Sequence, residues 1–203
     1  MAYDHFEKHK HHNLVDWNFN LVYNSQPAIV DFAKHYESAL QHPGLYDPIP
    51  AKWLHATILR VGTIDEYTEE EMLAVAKVLQ PKLATLELPV FQFDAWWLWS
   101  GNVVFHISPG DHFTKLYTAV ESALKDIVGE ARTPKTPHGQ FVPHTSLAYT
   151  RAHDDEQSLH KQLLSIPLKS AAFAATHMPL IKQWPVNGHY EWEVIKDLYI
   201  GKS

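Results

Sequence analysis

The sequence predicts an α+β fold of two pseudo-symmetric lobes, each a mainly antiparallel sheet with helices outside, around a central cleft. Three observations lead there. The order strand, helix, loop, strand, helix, strand occurs twice along the 203 residues. No Gly/Ser-rich or charged linker separates the two runs. The second strand of each run opens with a histidine followed two residues later by a hydroxyl: His55-Ala56-Thr57 and His144-Thr145-Ser146. A single bilobal domain over 1–203 is expected. Its first-lobe elements lie in 19–100, its second-lobe elements in 101–203, and a partly mobile His-rich N-terminus covers 1–18.

In the first run, Phe19 to Asn24 reads as a strand. Pro27 opens a helix through about Leu40, because Ile29, Phe32, Ala33, Tyr36 and Leu40 recur at helical spacing. The loop HPGLYDPIP precedes the strand of His55 and Thr57. Thr68 starts a second helix, with Glu69, Glu70 and Glu71 where the helix dipole favours negative charge. That helix is expected to stop near Leu79, ahead of Pro81, and a strand from Leu88 to Leu98 closes the run.

In the second run, Asn102 to Ser108 is a strand ended by Pro109-Gly110. Asp111 can cap a long helix to about Val128, with Phe113, Leu116, Tyr117, Val120 and Leu124 on one stripe. The loop RTPKTPHGQF leads to the strand of His144 and Ser146. A helix near Asp154 to Leu164 follows. Two closing strands, LKSAAFAATHMPLIKQW and HYEWEVIKDLYI, are joined by an Asn187-Gly188 turn.

Composition narrows the function. With 45% hydrophobic residues the chain can bury a sizeable core. A formal charge of -6 leaves no broad basic surface for long duplex nucleic acid, while a nucleotide or RNA end needs only a local pocket. The absence of cysteine rules out disulfides, a thiol nucleophile and thiolate zinc sites. No apolar stretch is long enough to span a bilayer, so a cytoplasmic protein without membrane partners is expected. Of the 15 histidines, His5, His9, His11 and His12 crowd the N-terminus and read as a solvated segment rather than a metal site.

Side chains two apart on a strand share a face. His55 and Thr57 therefore point together, as do His144 and Ser146. One imidazole to remove a proton, one to donate it, and two hydroxyls to hold phosphoryl oxygens make a metal-free set for breaking a phosphoester. No metal and no cofactor are expected. A third match, His106-Ile107-Ser108, sits at a strand end before Pro-Gly and is expected to be structural or a rim residue. Two residues before His55, Trp53 is a candidate base-stacking ring. Trp96, Trp97 and Trp99 are expected to be core or interface anchors. Strict alternation turns Tyr149 away from the motif histidines, and Arg60 and Arg151 as well unless the strand bulges or ends before Arg151.

The stretches KWLHATILRVG and FVPHTSLAYT and the ending HYEWEVIKDLYIG resemble the two-histidine (2H) phosphoesterase superfamily, and within it the bacterial 2′-5′ RNA ligase-like proteins. The resemblance covers nearly the whole chain. Ser146 departs from the commoner threonine but keeps the hydroxyl. The resemblance implies the bilobal 2H fold and attack on a cyclic phosphodiester such as a nucleoside or RNA-end 2′,3′-cyclic phosphate. It gives His144 the base role, His55 the acid role, and Thr57 and Ser146 the non-bridging oxygens. With a hydroxyl end in place of water as the acceptor, the same chemistry is 2′-5′ ligation. Two alternatives share the cleft: a 2H enzyme for another cyclic phosphate, either a nucleotide signal or a specialised metabolite, and a nucleotide-binding module without turnover.

Overall fold

A computed structural model of the chain describes residues 5, 14–40, 46–99, 101–135, 141–151 and 156–201. The elements are β1 (Asp16–Val22), α1 (Pro27–Leu40), β2 (Tyr46–Pro48), β3 (His55–Thr63), α2 (Glu69–Ala84), β4 (Val90–Trp99) and β5 (Asn102–Ser108). They continue as α3 (Asp111–Val128), β6 (His144–Thr150), α4 (Glu156–Ser165), β7 (Ala171–Ala174), β8 (Leu180–Val186) and β9 (His189–Lys196).

The strands form two antiparallel sheets, ordered β3-β1-β8-β9 (sheet A) and β2-β6-β5-β4-β7 (sheet B). The orders match when β3, β1, β8 and β9 are laid on β6, β5, β4 and β7, which is the expected pseudo-symmetry. Sequence order does not divide the lobes near residue 100, however. β4 from the first half joins sheet B, and β8 and β9 from the second half join sheet A. The helices cross over too: α1, which follows a strand of sheet A, packs on sheet B, and α3 packs on β3 of sheet A. Such an exchange packs the apolar stripe of each helix on the sheet that holds the other half's motif strand.

The helix stripes are as the spacing predicts. Ile29, Phe32, Ala33, Tyr36 and Leu40 are buried on α1. On α3 the buried residues are Phe113, Leu116, Val120, Ala123 and Leu124, with Tyr117 half-buried. Beneath sheet B, Phe32 meets Phe93 and Phe105 at ring distances of 4.8 and 5.0 Å, and Tyr23 meets Phe173 at 4.3 Å.

Several elements differ from expectation. Tyr46–Pro48, inside the expected loop, is a short strand paired with β6, and Gly110 rather than Asp111 occupies the N-cap of α3. β1 begins at Asp16, where the alternation Asp-Trp-Asn-Phe-Asn-Leu buries Trp17, Phe19 and Leu21. α2 carries a Thr68–Glu71 capping box but runs through Pro81 to Ala84. An interior proline costs about 3 kcal/mol in a helix, and the complete burial of Leu79 and Leu83 on either side offsets it. The penultimate stretch is two strands rather than one. β7 belongs to sheet B and β8 to sheet A, and Pro179, which has no N–H for a ladder, lies between them.

The β8–β9 hairpin turns at Asn187-Gly188, both with positive φ (45° and 82°). Its tip leans on sheet B: a Cβ on Gly188 would land on the carboxylate of Asp47, which is paired with Arg151. Gly188→Ala should therefore cost at least the ~1–2 kcal/mol of a left-handed non-glycine residue. It should also displace Asp47, and a urea titration should show the lowered midpoint.

Candidate active site

β3 and β6 are the strands of the two sheets that meet, which brings both motifs to one cleft. The cleft has a volume of about 250 Å³, and His55, Thr57, His144 and Ser146 all line it. The two histidines are held alike. His55 Nδ1 lies 2.9 Å from the carbonyl of Trp53, and His144 Nδ1 lies 2.8 Å from the carbonyl of Val142, each two residues upstream. A carbonyl only accepts, so each Nδ1 carries the proton and each neutral ring leaves Nε2 as its exchangeable atom. The edge of Trp192 packs against the His55 ring at 4.9 Å and 78°.

Burial disfavours charge on both imidazoles. It pushes His55 down to about 4, with the nearby His144 also opposing a second positive charge and the Trp53 carbonyl working the other way. Burial likewise lowers His144, against the pull of the Val142 carbonyl.

Arg60 and Tyr149 also line the cleft, on the same side as the histidines. Strict alternation put both on the opposite face. The register shows why that reading fails. Between Phe19↔Leu59 and Asn20↔Thr57 the partner strand skips Ile58, and between Val103↔Ala148 and Val104↔Ser146 it skips Leu147. Each motif strand thus bulges three residues after its histidine. A bulge adds one unpaired residue and reverses the parity beyond it. Five residues after the histidine, the first motif presents a guanidinium and the second a phenol.

Arg60 makes a two-pronged pair with Asp16, Nε to Oδ2 at 2.9 Å and Nη2 to Oδ1 at 3.0 Å. Asn18 and Gln183 add carboxamides beside it, and Tyr190 adds a ring 5.7 Å from that of Tyr149. Ser146 lines the cleft with the Tyr149 phenol, whose ionisation is suppressed by burial, against a smaller opposing influence of the Ser146 hydroxyl. Asn18 and Asp16 were legible in β1, where polar residues alternate with Trp17, Phe19 and Leu21. Gln183 had no local signal, and Tyr190 was marked only by its place in the ending HYEWEVIKDLYIG.

His5 stacks on Tyr149 at 4.2 Å and is almost wholly buried in the cleft wall. It is a structured residue, contrary to the solvated N-terminus expected. His9, His11 and His12 lie outside the described residues.

Trp53 is not among the residues lining the cleft. It ends a 3-10 turn before β3 begins, so strand parity does not extend to it. Its ring meets Trp192 at 4.7 Å, behind His55, and what it offers the histidine is its carbonyl. His106 faces Asp94, Nδ1 to Oδ1 at 3.0 Å, and stands opposite His144 in the β5–β6 register without lining the cleft. Trp96 packs against the core, while Trp97 is half-buried with its ring 5.9 Å from His106. Among the described residues, no three His, Asp or Glu side chains are grouped as metal ligands would be.

The same architecture occurs in solved structures. A crystal structure described as a phosphoesterase matches with a TM-score of 0.65 and 17% identity, over 93% of this chain and 99% of that one. TT0787 of Thermus thermophilus matches with a TM-score of 0.66 and 16% identity, over 91% and 97%. Escherichia coli LigT in apo form matches with a TM-score of 0.63 and 16% identity, over 94% and 99%. The chain has the 2H phosphoesterase fold. LigT has also been solved with 3′-AMP and with phosphate, and those structures match this chain at 19% and 18% identity. No protein-family model and no curated protein matches the sequence.

The buried imidazoles make stability depend on pH. An unfolded histidine takes up a proton near 6.5, whereas folded His55 resists until about 4. Between those values the unfolded state binds more protons, so stability present above about pH 6.5 is lost as pH falls toward 4. His55→Gln should lose less stability over that window than the parent, as measured by urea midpoints at pH 7 and pH 5.

Proposed function

We propose that this chain is a metal-independent phosphoesterase that opens a cyclic phosphodiester, such as a nucleoside or RNA-end 2′,3′-cyclic phosphate. One observation carries the reading: two imidazoles, each locked with Nε2 as its working atom and each followed two residues later by a hydroxyl, line a single cleft. A phosphate between them would meet a proton acceptor on one side and a proton donor on the other.

In this reading one neutral imidazole takes a proton from water as the water oxygen bonds to phosphorus. The ring P–O bond breaks, and the other histidine, protonated, gives its proton to the departing ribose oxygen. Hydroxyl donors at Thr57 and Ser146 hold the non-bridging oxygens while negative charge grows there. The resemblance assigns the water to His144 and the leaving oxygen to His55. With an alcohol in place of water as the nucleophile, the same groups would open the cyclic phosphate by ligation.

The far end of the cleft supports a nucleotide as the ligand. Asp16 offsets the charge of Arg60, so that end offers hydrogen-bonding forks, carboxamides and rings rather than bare positive charge. Such a surface suits a nucleobase better than a second phosphate. LigT in complex with 3′-AMP is a structure with this fold holding a nucleotide.

The deciding assay is hydrolysis of 2′,3′-cyclic nucleotides in the presence of EDTA, which should leave turnover intact. Loss of activity on chelation, with recovery on adding a divalent ion, would overturn the reading. His55→Ala and His144→Ala should each lower kcat by on the order of 10²–10⁴, the range for one general acid or base. Thr57→Ala and Ser146→Ala should also slow turnover, and His106→Ala should have much the smallest effect.

The same substrate should give a bell-shaped kcat/KM profile, since one ring must be neutral while the other is charged. Sequence alone puts its maximum between about pH 5.5 and 8, around histidine's ordinary value. Because burial lowers both rings, the maximum for the free enzyme is expected below about 6.5. Loss of the acidic limb in one single-histidine variant and of the alkaline limb in the other would assign base and acid. A maximum above pH 8 would exclude the pair.

A further inference from the structure

Thr145 is the middle residue of the second motif, on the side of β6 away from the cleft. It is fully buried. Its hydroxyl donates a 2.8 Å hydrogen bond to the backbone carbonyl of His55, which belongs to the other sheet. The equivalent position of the first motif is Ala56, which has no group to return the bond.

The position of this bond matters because of what it connects. The His55 carbonyl is one covalent bond from the Cα that carries the first imidazole. Thr145 is the residue next to His144. Between the backbones of the two histidines there is thus a single non-covalent step, a hydroxyl on a carbonyl. On its other side His55 is tied by its own Nδ1 to Trp53. Ring and peptide are thereby fixed from opposite directions.

We propose that Thr145 is a positioning residue that sets the separation and orientation of His55 relative to His144. The inference rests on the functional reading above only for its kinetic consequence. The geometric part concerns the resting protein. A catalytic pair that must reach one phosphoryl group from two sheets is sensitive to small displacements, and 1 Å of misplacement costs on the order of 10²-fold in rate. Removing the hydroxyl also leaves a buried carbonyl unsatisfied, which drives the backbone at His55 to seek another donor.

The test uses the full chain with Thr145→Val, which keeps the shape, Thr145→Ala, which adds no bulk should valine prevent folding, and Thr145→Ser, which keeps the hydroxyl. Two readouts are needed. The first is the titration of the His55 and His144 ring resonances by NMR without substrate. His55 should shift its resonance position and its midpoint in the valine and alanine variants and return in the serine variant. The second is steady-state hydrolysis of a 2′,3′-cyclic nucleotide. There kcat should fall by roughly 10- to 100-fold in valine and alanine with KM little changed, and serine should recover it to within about threefold.

Unchanged His55 resonances in a folded valine or alanine variant would overturn the proposal. So would a lowered melting temperature with wild-type kcat for the folded fraction, because that is the behaviour of a purely structural bond. If the parent protein opens no cyclic phosphate, the functional reading fails while the NMR titration still decides the role of Thr145.

Discussion

The cleft depends on one packing arrangement, the meeting of β3 with β6. These strands belong to different sheets, and each has a face to bury and a face to leave open. Ala56 and Ile58 on one, and Thr145 and Leu147 on the other, go inward. His55 and Thr57, and His144 and Ser146, are left facing the same space. A shift of either strand by one residue would turn its histidine into the core and its apolar residues into the cleft, at a cost of several buried side chains. Register is therefore fixed by the core, and the site takes its geometry from that register. The Thr145 hydroxyl on the His55 carbonyl adds a directional bond to an otherwise apolar seam.

The strand exchange between halves has a mechanical consequence. Because β4 lies in sheet B and β8 and β9 in sheet A, each sheet contains strands from both halves of the chain. The connections from α2 to β4 and from β7 to β8 cross from one side to the other, as do the packed helices α1 and α3. Two sheets linked in this way are poorly suited to opening as independent rigid bodies. That constraint keeps the two motif histidines, which stand on separate sheets, at a common spacing.

Pseudo-symmetry makes the histidines and hydroxyls equivalent, and the residues after the bulges break that equivalence. Arg60 and Tyr149 occupy matching positions and have opposite chemistry. A ligand entering a fully symmetric cleft would have two equivalent orientations. In this one the paired guanidinium of Arg60 lies on sheet A and the phenol of Tyr149 on sheet B, so the two orientations differ in energy. The Asp16 carboxylate keeps the guanidinium fork oriented, and the phenol shares the cleft wall with Ser146 of its own motif.

By itself the sequence determined most of the element order, the helix stripes of α1 and α3, the hairpin turn at Asn187-Gly188, and the two histidine–hydroxyl pairs, but neither the short β2 nor the division of β7 from β8. All are local signals: spacing of 3.6 or 2, a proline or glycine at a boundary, residues two apart on a strand. Polar residues alternating with aromatic ones in β1 would have yielded Asp16 and Asn18 as well. Only the tertiary structure decided which strands share a sheet, because pairing partners for β4, β8 and β9 are chosen by the core that they jointly bury. It alone placed Arg60 and Tyr149 in the cleft, since a bulge is a property of two paired strands and leaves no mark in one. It likewise moved the neighbour of His55 from the ring of Trp53 to its carbonyl, and brought His5 into the wall from a distant terminus. Local chemistry is written in the order of residues, and parity beyond a bulge is settled by the strand alongside.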